Sequence, residues 1–141
     1  MRMDTTKFKL VRNKVPELFE RHHGYAPEEL DPTITKDWIN KRYFVMQKIE
    51  EEIREVKAEA VGPVETNLNN LYEECADVIA SLEALLRLYD SEGFVKAKLQ
   101  DAVDAKTLKY GCMENFRVIR VTEEEKEHYY KTIKGKVENE F

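Results

Sequence analysis

Two stretches of the sequence, Ile49–Val56 (IEEEIREV) and Leu71–Val78 (LYEECADV), repeat one pattern of apolar and acidic positions. In each stretch the first, fifth and eighth residues are apolar, which is the spacing of one face of an α-helix. The fourth and seventh residues are acidic, and at about 100° per residue they lie on one margin of that face. These four residues are Glu52, Glu55, Glu74 and Asp77. The repeated phase predicts two helices that each carry a carboxylate pair beside their apolar face.

The sequence around both stretches favours an all-α fold. Glycine and proline number only 5 and 4, so long helices are allowed. Apolar residues at three- and four-residue intervals predict these helices, and Gly62-Pro63 ends the first long one. The predicted helices cover residues 35–61, 65–89 and 95–109, with shorter ones from Pro16 to Gly24 and after Thr122. We expect a helical bundle with a loop over 24–34. We also expect a small two-stranded element formed by residues 116–121 and the N-terminal arm, residues 5–15.

Composition narrows the class of protein. The 141 residues are enough for a single domain, 1–141, with its own core. A net charge of -5 disfavours binding to a nucleic-acid polymer. No apolar run approaches the ~18 residues of a membrane span, and no N-terminal stretch is typical of a signal peptide. We therefore expect a cytoplasmic protein that has no membrane partner.

The two carboxylate pairs are expected to meet. A short connection after Val61 favours antiparallel packing of the two helices, which brings both pairs to one edge of the interface. Four carboxylates gathered there repel one another, and a hard divalent cation such as Mg²⁺ relieves the repulsion. Lys48 lies one turn before Glu52, so we predict an ion pair between them. The alternative interpretation is an acidic helix surface that is simply solvated.

Three segments resemble a known family. Glu51–Glu55 (EEIRE), a spacer and Glu74–Asp77 (ECAD) match the EExxE…ExxD pattern of the MazG-like, all-α nucleoside triphosphate pyrophosphatase superfamily. Lys9–Leu18 (KLVRNKVPEL) is similar to the KLVRDKIPEI opening of one MazG-like subgroup, and Lys106–Gly111 (KTLKYG) more weakly resembles the end of that subgroup's sequence. The matches extend over most of the chain.

The resemblance implies a reaction and a set of site residues. The reaction is Mg²⁺-dependent hydrolysis of a nucleoside triphosphate to the monophosphate and pyrophosphate, in nucleotide-pool house-cleaning, with Mn²⁺ as a substitute ion. The implied metal ligands are Glu52, Glu55, Glu74 and Asp77. Because the chain has no glycine-rich phosphate loop, we expect basic side chains to bind the phosphates. These candidates are Arg12, Lys14, Lys106 and Lys109. The family also implies a homodimer or homotetramer.

Glu51 is the candidate catalytic carboxylate. It can support a metal ligand or orient the attacking water, and the alternative is that it is solvated. On the helix it points about 160° away from the apolar face. We therefore predict that it is the least buried carboxylate of the motif.

Two other functions fit parts of the sequence. A di-iron carboxylate bundle needs Glu-x-x-His on two helices. Glu20–His23 and Glu125–His128 have that spacing, but this alternative leaves Glu55 and Asp77 unexplained. A non-enzymatic helical module that binds a basic partner through its acidic edge explains the charge, although it does not explain the repeated phase.

Overall fold

The computed structural model describes residues 7–129, and all the regular structure in this range is helical. The helices are α1 (Val15–His23), α2 (Pro32–Lys36), α3 (Trp38–Val61), α4 (Leu68–Tyr89), α5 (Val95–Tyr110) and α6 (Glu123–His128). The all-α fold class is thus confirmed. The chain divides into two compact units, Met1–Val95 and Lys96–Phe141, and the single-domain organisation stays a prediction. Within residues 7–129, no helix is long and apolar enough to span a bilayer.

The two long helices begin at side-chain caps. The carboxylate of Asp37 accepts hydrogen bonds from the backbone N–H groups of Ile39 and Asn40, at 2.9 and 3.1 Å. At the start of α4, the side-chain oxygen of Asn67 accepts from the N–H of Asn70 at 3.2 Å. Such caps satisfy N–H groups that have no partner inside the helix. They explain why both helices start three residues later than predicted.

Helices α3 and α4 form an antiparallel hairpin, as the short connection predicted. The ring of Trp38, the first residue of α3, packs edge-on against that of Tyr89, the last residue of α4, with centroids 5.4 Å apart. At the other end, the Glu59 carboxylate accepts a hydrogen bond from the Asn67 N–H at 2.8 Å. Both ends of the two helices are therefore fixed against each other.

The apolar face of α3 is only partly covered. Phe44, Val45 and Ile49 are buried, as expected of a core-facing stripe. Ile53 was predicted on the apolar face as the fifth residue of IEEEIREV, but it is 52% exposed, and Met46, three residues before Ile49, is 43% exposed. The reason is that the apolar stripe of α3 is wider than the strip that α4 covers. An apolar surface on α3 is therefore left facing outward.

The predicted two-stranded element is wrong for the residues that the structure describes. No strand forms in 7–129, and residues 116–121 are irregular. Phe116 has a φ of 53°, in the left-handed region that is incompatible with a strand. Val118 and Ile119 are exposed, so the β-propensity of this segment meets no partner surface. A lone strand pair is marginally stable in water, which explains why propensity alone did not produce it.

The predicted loop over 24–34 ends earlier than expected. Pro32 begins the short helix α2, and the Asp31 side chain caps it by accepting from the backbone N–H of Thr33 at 2.7 Å. A proline in the first helical turn is favourable because its missing N–H is not needed there. Gly24, with a φ of 78°, ends α1 as predicted.

Candidate metal centre

Four carboxylates from α3 and α4 lie together. One oxygen from each of them lies within 4.8 Å of the others. Within residues 7–129, this is the one group of three or more His, Cys, Asp or Glu side chains close enough to hold a metal ion. Its members are Glu52, Glu55, Glu74 and Asp77, which we call the carboxylate group. These are the same four side chains that the helical phase singled out.

Glu52 is the innermost member of the carboxylate group. Its side chain is only 4% exposed, and its Oε1 atom lies 2.7 Å from the Lys48 Nζ atom, one helical turn earlier. The i,i+4 ion pair predicted between these residues is thus confirmed. Burial nevertheless raises the pKa of Glu52, and the adjacent Glu55 raises it further, against the opposing effect of Lys48. The surroundings of Glu52 therefore disfavour its negative charge.

Two oxygens of the carboxylate group lack any hydrogen-bond partner among the described residues. They are the Oε2 atoms of Glu52 and Glu74, and both are buried. Buried carboxylate oxygens are normally satisfied by a hydrogen bond or a cation, because leaving them unpaired costs free energy. A cation between the two helices would satisfy both oxygens.

The donor set fits a hard divalent cation. All four potential ligands are carboxylate oxygens, which suit Mg²⁺ or Mn²⁺ better than softer metals. No histidine belongs to the carboxylate group, so the described residues lend no support to the di-iron alternative. His23, one of its two histidines, instead packs its ring 4.4 Å from that of Phe19.

The N-terminal arm supplies two cations to the edge of the site. The Arg12 Nη2 atom lies 2.8 Å from the Asp77 Oδ1 atom, so this predicted phosphate ligand does reach the carboxylate group. The Lys9 Nζ atom lies 2.7 Å from the Glu51 Oε1 atom. Sequence reasoning did not select Lys9 as a site residue. The signal was available, because Lys9 opens the KLVRNKVPEL segment that also contains Arg12.

Glu51 is less exposed than predicted. Its side chain is 24% exposed, whereas Glu55 is exposed and the Asp77 side chain is 39% exposed. The expectation that Glu51 is the least buried carboxylate is therefore wrong, because Lys9 and Lys48 lie against it at 2.7 and 3.8 Å. The hydrogen bond from Lys9 is the main cause that lowers the pKa of Glu51. Glu51 is thus ionised at neutral pH.

The remaining predicted phosphate ligands belong to parts of the chain outside helices α3 and α4. Lys14 is exposed, directly before the first residue of α1. Lys106 and Lys109 both lie on α5, in the second compact unit. The Nζ atom of Lys109 lies 5.8 Å from the ring centroid of Tyr110. A phosphate-binding role for these three lysines stays a prediction.

The chain has no significant match among protein families, curated proteins or solved structures. The MazG-like resemblance thus rests on the sequence motifs alone.

Proposed function

We propose that the protein is a divalent-metal-dependent nucleoside triphosphate pyrophosphohydrolase. It converts a nucleoside triphosphate to the monophosphate and pyrophosphate, with Mg²⁺ as the natural ion and Mn²⁺ as a substitute. The observation that carries this proposal is the carboxylate group, with ligand oxygens within 4.8 Å of one another and two buried oxygens without a partner. Two helices that each contribute a carboxylate pair at matched positions suit a metal centre better than a random acidic surface.

The protein's own side chains then have distinct roles. Glu52, Glu55, Glu74 and Asp77 hold the metal. When bound, such an ion supplies charge neutralisation at phosphate oxygens and acidifies a water molecule. Glu51 lies beside the carboxylate group and is kept ionised by Lys9, so it is suited to accept a proton from water.

Basic side chains at the rim take the place of a glycine-rich phosphate loop. Arg12 is already within 2.8 Å of the carboxylate group. A guanidinium binds two phosphate oxygens at once, which makes arginine well suited to orient a polyphosphate chain. We assign Arg12 to this role, and Lys14, Lys106 and Lys109 remain further candidates.

An interaction module with an acidic edge explains the site less well. A protein partner can contact only accessible side chains, and the Glu52 side chain is 4% exposed. The Oε2 atoms of Glu52 and Glu74 are buried as well. A small cation can enter between the two helices, whereas a basic side chain of a partner protein would have to bury its own stem there. The buried oxygens thus favour the metal centre.

We also infer that the protein is a homodimer, from an apolar stripe on α4. The stripe repeats with alternating intervals of four and three residues, the spacing of a helix that packs along another helix. Its members are Leu68, Tyr72, Cys75, Ile79, Leu82, Leu86 and Tyr89. Tyr72 and Tyr89 are 71% and 62% exposed. No charged residue interrupts the stripe, so a second copy of the chain can cover it without burying a charge.

The exposed area is of the size that a dimer needs. A whole aromatic side chain presents about 150–250 Å², so the two tyrosines alone expose on the order of 250 Å². A second apolar stripe on α3 includes Ile39, Tyr43, Met46 and Ile53. By helical phase, each stripe lies on the side of its own helix that faces away from the carboxylate pair of that helix. Together they approach the roughly 800 Å² that each partner buries in a standard interface.

A nucleotide panel tests the proposed reaction. Canonical and modified ribo- and deoxyribonucleoside triphosphates are incubated with Mg²⁺ or Mn²⁺, and pyrophosphate and phosphate release are measured separately. We expect metal-dependent pyrophosphate release that is lost in Glu74→Gln. The matched control is Glu73→Gln, which changes the exposed neighbouring residue on α4 and retains activity. Release of phosphate alone, or no metal-dependent release from any nucleotide, would overturn the proposal.

A further inference from the structure

Arg12 holds a position that the proposed chemistry does not by itself explain. Its guanidinium forms an ion pair with Asp77, at 2.8 Å, and so is not open to bind an anion. Asp77 is a member of the carboxylate group, so Arg12 and a divalent ion would be attracted to the same side chain. Two cations at one carboxylate repel each other, and the repulsion is strong at short range.

Among the three cations at the site, Arg12 is the one best able to leave. The side chain of Lys48 is 18% exposed and pairs with Glu52 on the same helix. Lys9 pairs with Glu51, outside the carboxylate group. The Arg12 side chain is 66% exposed, and exposed ion pairs contribute little to stability. Displacing Arg12 from Asp77 is therefore the least costly rearrangement at the site.

The backbone at Arg12 keeps the displaced side chain close to the site. The Arg12 carbonyl accepts a hydrogen bond from the Val15 N–H at 3.0 Å, at the start of α1. A side-chain rotation can thus move the guanidinium away from Asp77 without a change in the backbone that holds Arg12 at the start of α1. Within that reach, a guanidinium prefers a polyphosphate, to which it can donate two parallel hydrogen bonds.

We propose that Arg12 is an exchangeable counterion, an inference that rests on the proposed function. It competes with the divalent ion for Asp77, and once displaced it binds a phosphate of the substrate. Metal and phosphate binding are then positively coupled through one side chain, and the coupling is reciprocal. When the metal binds Asp77, it releases Arg12, which can then bind a phosphate. When a phosphate holds Arg12, Arg12 no longer competes with the metal for Asp77.

Metal binding, measured without turnover, tests this exchange. Mn²⁺ is titrated into the metal-free wild-type protein and into Arg12→Gln, and free Mn²⁺ is followed by electron paramagnetic resonance. We expect Arg12→Gln to bind Mn²⁺ about five-fold more tightly, in the usual range of coupling between sites. Arg21→Gln, which removes an exposed arginine of α1, controls for net charge and is expected to bind Mn²⁺ as the wild type does.

A second titration tests whether the displaced Arg12 binds phosphate. Inorganic tripolyphosphate is titrated into each Mg²⁺-saturated protein in a calorimeter. We expect Arg12→Gln to bind it about ten-fold more weakly than the wild type, because a charge-assisted hydrogen-bonded pair is lost. Unchanged or weaker Mn²⁺ binding by Arg12→Gln, or unchanged tripolyphosphate binding, would overturn the exchange.

The Glu74→Gln variant separates this failure from failure of the proposed function. If the wild type binds no Mn²⁺, or if Glu74→Gln binds it equally well, the metal centre itself is refuted, and the exchange is refuted with it. If Glu74→Gln loses Mn²⁺ binding while Arg12→Gln matches the wild type, only the exchange is refuted.

Discussion

Lys48 and Glu52, one turn apart on α3, form an ion pair of 2.7 Å in which the two side chains are 18% and 4% exposed. The ion pair does not fully stabilise the negative charge of Glu52. Burial and the adjacent Glu55 raise the pKa of Glu52 in spite of Lys48. The positive charge of Lys48 is therefore too small to balance the carboxylates at this edge of the hairpin. A divalent cation would supply the remainder, and this is the physical basis of the proposed site.

Glu52→Gln is expected to stabilise the metal-free protein at neutral pH. The folded-state pKa of Glu52 is raised above its unfolded value, so the ionised carboxylate opposes folding above that pKa, and the effect disappears as the pH falls through it. Removing the charge should therefore increase the free energy of unfolding. Thermal unfolding in EDTA measures the gain, a rise in Tm of a few degrees. The control Glu50→Gln, on the exposed side of α3, should change little, and a lower Tm for Glu52→Gln would contradict the expectation.

Metal affinity is expected to weaken in mild acid. Glu52 must be ionised to bind a cation, and its raised pKa means that protons compete at a higher pH than for an ordinary glutamate. Mn²⁺ titrations at several pH values, from neutral pH down to the lowest pH at which the protein stays folded, should show the affinity falling as the carboxylates take up protons. An affinity that stays constant over this range would show that Glu52 is not a ligand.

Lys9→Gln is expected to shift the pH dependence of turnover. The hydrogen bond from Lys9 lowers the pKa of Glu51, so its removal lets that pKa rise. If Glu51 accepts the proton of the attacking water, the acid limb of the kcat profile then moves to higher pH. Lys7→Gln, which changes an exposed lysine of the same arm, should leave the profile in place. Equal profiles for Lys9→Gln and the wild type would exclude Glu51 as the proton acceptor.

Ile79→Glu is expected to prevent formation of the proposed homodimer. Ile79 lies in the middle of the α4 stripe and is 53% exposed in the single chain, so a charge there would be buried by a second copy. Sedimentation velocity should show a dimer for the wild type and a monomer for the variant. Val64→Glu, at an exposed apolar position in the connection between α3 and α4, should remain dimeric. A monomeric wild type at micromolar concentration would refute the proposed interface.

The positions of the four residues of the carboxylate group were predictable because they depend on local geometry. Three-residue spacing on a helix places Glu52 and Glu55 on one margin of the apolar face, and the same holds for Glu74 and Asp77. The six-residue connection, 62–67, left antiparallel packing as the simple solution. Sequence periodicity and one short loop were thus enough to bring the carboxylate group together.

Features that depend on distant parts of the chain were not predictable. The burial of Glu51 comes from Lys9, which lies 42 positions earlier. Ile53 has the helical phase of a core residue, but it is 52% exposed. The apolar face of α3 is wide, and the position of α4 decides which part of that face is covered. Residues 116–121 have strand propensity without a partner strand among the described residues, and propensity alone does not fix a strand.

Anomalous diffraction from crystals of the protein soaked in Mn²⁺ tests the central claim most directly. We expect an anomalous peak between α3 and α4, within coordination distance of carboxylate oxygens from Glu52, Glu55, Glu74 and Asp77. The peak should be lost in Glu74→Gln crystals and kept in Glu73→Gln crystals. Ordered carboxylates without a peak at saturating Mn²⁺, or a peak bound only by other residues, would contradict the proposed metal centre.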